Sequence, residues 1–384
     1  MTRSSSLRLI AAVALASLFA CGFRAVAAGG AFEFAYLSAF AFAGTTLQGA
    51  LALLMIAHAT SASWFVALRR LAEAIASSIL LLPLLFAPIA GTLSSIYPWA
   101  QPFAGRDEPL RAALTHAAVW LNPALFLARA FLFMLLWIAL FESLRRSSLA
   151  EDRGAGEPAR RRQIVLSALG LPLLAFSSSF ASFDWVMSAV PGWNFNVLGL
   201  YLLSGGFAAA VGALCVAVLV ARRSGRLPAQ VSAAHAHALG RLLLTSVCVW
   251  AYLAASQLVV VWSANLPVEA GFYLARYRGS FRILALTLVF GHFVLPFLIL
   301  LGRRAKRSLW VLAAVGGWLV ILHAIDVYWL LMPAAPLPPG LWDLAPFALL
   351  SSLALCCGTL RFARSPAIPV HAAELERSLA YESP

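Results

Sequence analysis

The chain is 384 residues long, 62% hydrophobic and only 11% charged, with a mean hydropathy of +0.87. A soluble domain carries roughly a quarter charged residues, so this composition excludes a water-soluble globular protein. Lys and Arg (28) outnumber Asp and Glu (15) for a formal charge of +13, and the placement of those cations decides whether they signify nucleic acid or topology.

Apolar runs of about 20 residues recur along the whole chain, each enough to cross a hydrocarbon core of roughly 30 Å. They predict ten spans, at 8–28, 31–57, 70–92, 117–142, 164–188, 195–221, 239–263, 281–302, 309–332 and 341–361. The expected fold class is an all-α polytopic membrane protein. The first run has the basic start of a cleavable signal and holds Cys21, but its apolar character continues past Arg24 and reads as an uncleaved helix. Cys21, Cys215, Cys248, Cys356 and Cys357 show no CxxC or Cys/His spacing, so they read as packing residues rather than ligands of a cluster or zinc. The outer loops 93–116 and 264–280 are rich in Pro, Trp, Tyr and Gly, as docking surfaces or lipid-interface anchors would be.

With the N-terminus assigned to the cytoplasm, 21 of the 28 cations fall on the cytoplasmic side: Arg3, Arg8, Arg69, Arg70 and those of 145–162, 222–241, 303–307 and 361–377. Arg24, Arg106, Arg111, Arg276, Arg278 and Arg282 fall outside, and Arg129 lies within a span. This is the positive-inside pattern. Both termini are expected in the cytoplasm, with the lipid bilayer and not nucleic acid as the partner of the charge.

Span 5 ends in "SFDWVMS" and span 9 in "HAIDVYWLLMP", placing Asp184 and Asp326 at matching outer positions 142 residues apart. Four spans between equivalent points give two units of like orientation. The division expected is a peripheral first helix (1–30), a four-helix bundle of spans 2–5 (31–188), a second of spans 6–9 (189–335), and a last helix with a tail (336–384).

Ionisable residues inside spans are costly and face a bundle interior or a path. At 1.5 Å per residue, Arg129 lies near the midplane of span 4, with Asn122 two turns nearer the outside. His292 is about 15 Å into span 8, and His323 and Asp326 share one face of span 9. Ser182 and Trp185 flank Asp184, and Gln257 and Asn265 extend the polar set in span 7. A cofactor-free proton or solute translocator is one chemistry that fits. A quinol-handling subunit is another: it needs an apolar slot with aromatic walls, an acid or base for the proton, and an electron acceptor on a partner.

The segments "LRRLAEA", "YPW" at 97–99, "WLNPALFLARA", "SFDWVMS", "SQLVVVWSANLP", "FGHFVLPFLIL" and "IDVYWLLMP" resemble, in order, the integral membrane subunits of alternative complex III, the bacterial quinol:cytochrome c oxidoreductase. These belong with the polysulphide-reductase-type (NrfD-like) membrane anchors, and the resemblance spans about residues 30 to 335. It implies ten spans in two bundles in the bacterial inner membrane. It also implies a periplasmic iron–sulfur subunit, haem c subunits and a paralogous NrfD-like subunit as partners, with quinol (menaquinol or ubiquinol) as substrate and no covalently bound cofactor on this chain. By motif position Asp184 would be the outer acid, and Asn122, Arg129, His292, His323 and Asp326 an interior polar path for protons. Val268 before Glu269 stands where the family carries a second acid, and Ala57-His58 stands where a histidine pair closes span 2. A redox-silent anchor for the iron–sulfur and haem subunits is the third role these residues leave open.

Overall fold

The structure, a computed structural model, describes residues 3–27, 31–101, 115–190, 193–265, 267–336, 338, 340–372 and 374–383. Residues 102–114 of the first outer loop, with Arg106 and Arg111, lie outside the described residues. The described chain is 85% helical and has no strand. Ten helices follow: α1 (Arg3–Ala27), α2 (Ala31–Ala59), α3 (Ser63–Gly91), α4 (Pro123–Ala150), α5 (Gly156–Trp185), α6 (Leu198–Arg223), α7 (Ala233–Ala264), α8 (Gly279–Leu301), α9 (Leu309–Leu331) and α10 (Ala345–Ala363). Eight stretches are long and apolar enough to cross a membrane. One of them, Pro123–Ala189, holds both α4 and α5, which fold back on each other at Gly154. This is an all-α polytopic membrane protein.

Because the helices run up and down, their ends make two faces. One carries the cation-rich turns at 145–163, 222–241 and 302–308 and is called the basic face; the other is the far face. Helices α2 and α6 lie side by side at the centre, with α5 against both and α9 against both. Most of α2 is sealed from the surface, 89% of its most apolar window being buried. Backbones this close need residues without side chains: a Cβ on Gly206 would collide with the carbonyl of Thr45, and one on Gly49 with Gly206 itself. Gly212 of α6 and Gly316 of α9 meet in the same way. In lipid, where apolar burial supplies no driving force between helices, such small-residue contacts let dispersion hold them together. Helix α10 packs on α2 and α3, and α1 reaches the rest chiefly through α10.

Two local features depart from the expected spans. Helix α4 begins at Pro123, not 117: Asn122 is extended (φ −133, ψ 153) and its side chain accepts from the Leu125 amide at 3.0 Å. An N-cap Asn followed by Pro at N1 is a strong helix start, so Asn122 is a cap and not an interior polar group. Helix α8 widens into a π-helix over Leu288–Val294. Pro296 sits just beyond; it cannot donate to the carbonyl four residues back, that of His292, and its ring crowds that carbonyl.

Candidate functional site

Near the far face, the two aspartates singled out by the sequence sit in contrasting surroundings. Asp184, one residue from the end of α5, is fully buried and accepts from Arg129 twice, Nε to Oδ2 at 2.7 Å and Nη2 to Oδ1 at 3.0 Å. The Trp120 indole N–H adds a third bond at 2.9 Å, and its ring lies 4.1 Å from the guanidinium carbon. With α4 starting at Pro123, Arg129 is only about 9 Å along that helix, which corrects the midplane depth expected for it and explains how it reaches Asp184. A bidentate Arg–carboxylate pair with a third donor on the same carboxylate is a fixed structural unit. Trp185 is no lipid anchor: it is 4% exposed and packs against Phe40, Phe86 and Trp137 at 5.4–5.8 Å. Ser182 donates to Ser178 O in its own helix.

Asp326 of α9 is equally buried, but its partners are neutral. The Tyr201 hydroxyl of α6 donates to Oδ1, and the Trp250 indole of α7 donates to Oδ2 at 3.0 Å. Among the described residues no cation pairs with it. His292, carried in the π-helical turn, stacks on Trp250 with ring centroids 3.9 Å apart and planes 16° from parallel. Both its nitrogens lack a hydrogen-bond partner among the described residues. One turn before Asp326, His323 meets Thr45 Oγ1 through Nε2 at 2.9 Å, its Nδ1 turned toward the bare backbone of Gly205. The fold therefore gathers Asp326, His323 and, through Trp250, His292, and keeps Asp184 and Arg129 apart from them.

Tyr201 and Trp250 also form the inner wall of a cavity of about 500 Å³ between α6, α7, α8, α9 and the short helix Pro267–Arg276. Phe195, Phe272, Tyr273, Phe293 and Trp329 are among the other aromatic residues of its lining. Of its lining residues, Tyr252 and Leu258 of α7, Tyr277, and Val289 of α8 are exposed, so the cavity opens sideways on the α7–α8 side of the bundle. That volume is of the size that takes a small organic ligand. Arg276 fixes the short helix over the cavity. It is 2% exposed and caps the end of α9, donating to the carbonyls of Trp329 (3.2 Å) and Leu330, with its guanidinium carbon 3.4 Å from the Phe272 ring centroid. A cation at a helix C-terminus complements the helix dipole. Burial still lowers its pKa to about 9, which leaves it charged at neutral pH.

The sequence missed Tyr201, Trp250, Phe272 and Arg276; no local pattern distinguishes them from other aromatic or outside-facing residues, and only the convergence of five segments gives them a role. Gln257 donates to the Asn194 carbonyl at 3.2 Å, and Asn265 is an exposed left-handed C-cap of α7 (φ 48). Neither lines the cavity.

A second buried cluster lies at the basic face. Arg69 bonds Glu151 (2.8 Å), Arg70 bonds Glu73 (2.6 Å) and Asp152, and Ser148 donates to Glu73. Both arginines are at most 4% exposed: acids from α3 and the α4–α5 turn neutralise them inside. Burial raises the pKa of Asp152 against the pull of Arg70 and Arg69. Among the described residues no group of three or more His, Cys, Asp or Glu is placed to hold a metal ion. No protein-family model and no curated protein matches the chain.

Proposed function

We propose that the chain is the membrane subunit of a quinol:cytochrome c oxidoreductase of the alternative-complex-III kind, and that the aromatic cavity beside Asp326 takes the quinol ring. The observation that carries this reading is the pairing of a sideways-opening aromatic slot with a buried carboxylate that has only neutral partners. Quinol is lipid-soluble and reaches its site sideways from the bilayer, and the opening on the α7–α8 side suits that route. The Tyr201 hydroxyl, already donating to Asp326, can accept a hydrogen bond from a quinol hydroxyl in the slot. As the quinol is oxidised, one proton passes through Tyr201 to Asp326. The second proton is released to water at the far face; His292, stacked behind Trp250, holds that indole in place and does not line the cavity. The two electrons leave to iron–sulfur or haem c centres on partner subunits, the periplasmic iron–sulfur subunit being the nearest expected acceptor. A carboxylate held only by neutral donors leaves no buried cation unpaired when it takes up a proton, which suits a proton-accepting site.

The closed Asp184–Arg129 pair supports a packing role for the corresponding end of α5. The positive-inside asymmetry supports a periplasmic far face in a bacterial inner membrane, with a paralogous NrfD-like subunit as neighbour. The test is quinol:cytochrome c activity of the assembled complex. Asp326→Asn and Tyr201→Phe are expected to lower turnover at least tenfold with assembly intact. Unchanged turnover in Asp326→Asn, or a chain that purifies without redox partners and moves a solute, would overturn the reading.

A further inference from the structure

The cations buried at the basic face are neutralised within the protein, Arg69 and Arg70 by Glu73, Glu151 and Asp152. Those at the ends of α7, α8 and α9 are not. Arg241, Arg303, Arg304, Lys306 and Arg307 have no carboxylate within 4.0 Å among the described residues, and all but Lys306 are exposed. They are also drawn together. Gly240 of α7 packs so tightly on Lys306 that a Cβ there would lie 2.8 Å from its side chain, which clamps the 303–306 turn against the start of α7. The fields of Arg241, Lys306, Arg303 and Arg307 consequently converge on His237. Membrane topology alone requires positive charge on this side; it does not require Arg241, Arg303, Lys306 and Arg307 to converge on one small surface with no carboxylate within 4.0 Å among the described residues.

Directly below this crown, toward the membrane interior, α8 exposes Leu295, Leu298 and Leu301 along one face, each about half accessible. Trp310, at the start of α9 on the same basic face, is 58% exposed, with the Arg223 guanidinium 4.5 Å over its ring. A crown of unneutralised cations above an apolar stripe matches the polarity profile of an anionic phospholipid, with the opposite charge at the head. We propose that this surface binds the phosphate headgroup of an anionic phospholipid, its acyl chains lying along the leucine stripe of α8. Arginine suits the role because its planar fork donates two parallel hydrogen bonds to phosphate, and basic pockets between spanning helices hold such headgroups. The site is independent of the cavity near Asp326 and of the function proposed for it.

Native mass spectrometry of the purified full chain, titrated with cardiolipin or with phosphatidylcholine, tests it. The wild type is expected to retain cardiolipin at least tenfold better than phosphatidylcholine. Arg303→Gln/Arg304→Gln/Arg307→Gln is expected to lose roughly 100-fold in affinity, with the helical circular-dichroism signal unchanged. Arg161→Gln/Arg162→Gln, exposed at the same face but outside the crown, is expected to bind as the wild type does. Equal binding of both lipids, equal loss in the two variants, or displacement of cardiolipin by excess inorganic phosphate overturns the proposal. Should the triple variant not fold, Arg303→Gln alone carries the same prediction at about fivefold.

Discussion

Asp184 and Arg129 satisfy one another at 2.7 and 3.0 Å, so removing one member strands a largely buried charge. Breaking such a pair costs about 3 kcal/mol, whereas replacing both by apolar residues is often neutral. Asp184→Asn is therefore expected to lower the thermal unfolding midpoint clearly in detergent, and Asp184→Leu with Arg129→Leu to recover most of the loss; equal losses in both variants would refute the pair as a structural pin. Asp326→Asn is expected to behave oppositely. Its neighbours are neutral donors, so the substitution disturbs one hydrogen bond at about 1 kcal/mol while abolishing proton acceptance. Stability nearly kept with activity lost is the expected signature. The sequence singled out both aspartates, but their difference was not legible there, because it depends on which residues of other helices reach them. Arg129 comes from 55 positions away, and Tyr201 from 125.

At the scale of helices, hydropathy foretold the all-α polytopic class and most helix positions within several residues, because an apolar run of that length has few alternatives in lipid. Of the ten expected spans, the first has among the described residues an apolar stretch of only Arg8–Gly22, shorter than a full crossing. The error at α4 had a readable signal: Asn122-Pro123 is an N-cap followed by N1 proline, and it outranks the apolar residues before it. The π-helix around His292 is likewise foreshadowed by Pro296. Pro296→Ala is expected to let the turn relax toward regular α-helix and swing His292 off Trp250, lowering activity while stability holds or rises; unchanged activity would show that the stacking is incidental. Gly206→Val addresses a different link. It places a branched side chain where α2 and α6 touch backbone to backbone, and overpacking of this kind costs roughly 1–3 kcal/mol or more. An unchanged unfolding midpoint in this variant would contradict the central α2–α6 contact.

Across the whole molecule, the segment 374–383 straps the basic face. Glu374 pairs with Arg160 of α5 at 2.7 Å, and Ser378 accepts from the Ala67 amide of α3. Farther along, Ser383 meets His237 of α7 at 2.7 Å, and Tyr381 takes a hydrogen bond from Arg241. Helices on both sides of the α2–α6 centre are thereby tied together, a role that no apolar pattern in the tail could announce. Deleting 374–383 is expected to speed hydrogen exchange at the starts of α3 and α7 without changing the far face; protection unchanged at both would remove the strap from the account. The aromatic cavity was the least legible feature, since α6, α7, α8, α9 and a loop helix each supply only a few of its residues. It is also where the account stands or falls. Photolabelling of the assembled complex with an azido-quinone, followed by peptide mapping, asks the question directly. The expected labels fall on Cys248–Leu258 of α7 and on Phe272–Tyr277, and Tyr201→Phe weakens them. Labels confined to α3–α5 around Trp185, with none on α7, would contradict the assignment of the quinol site to Asp326.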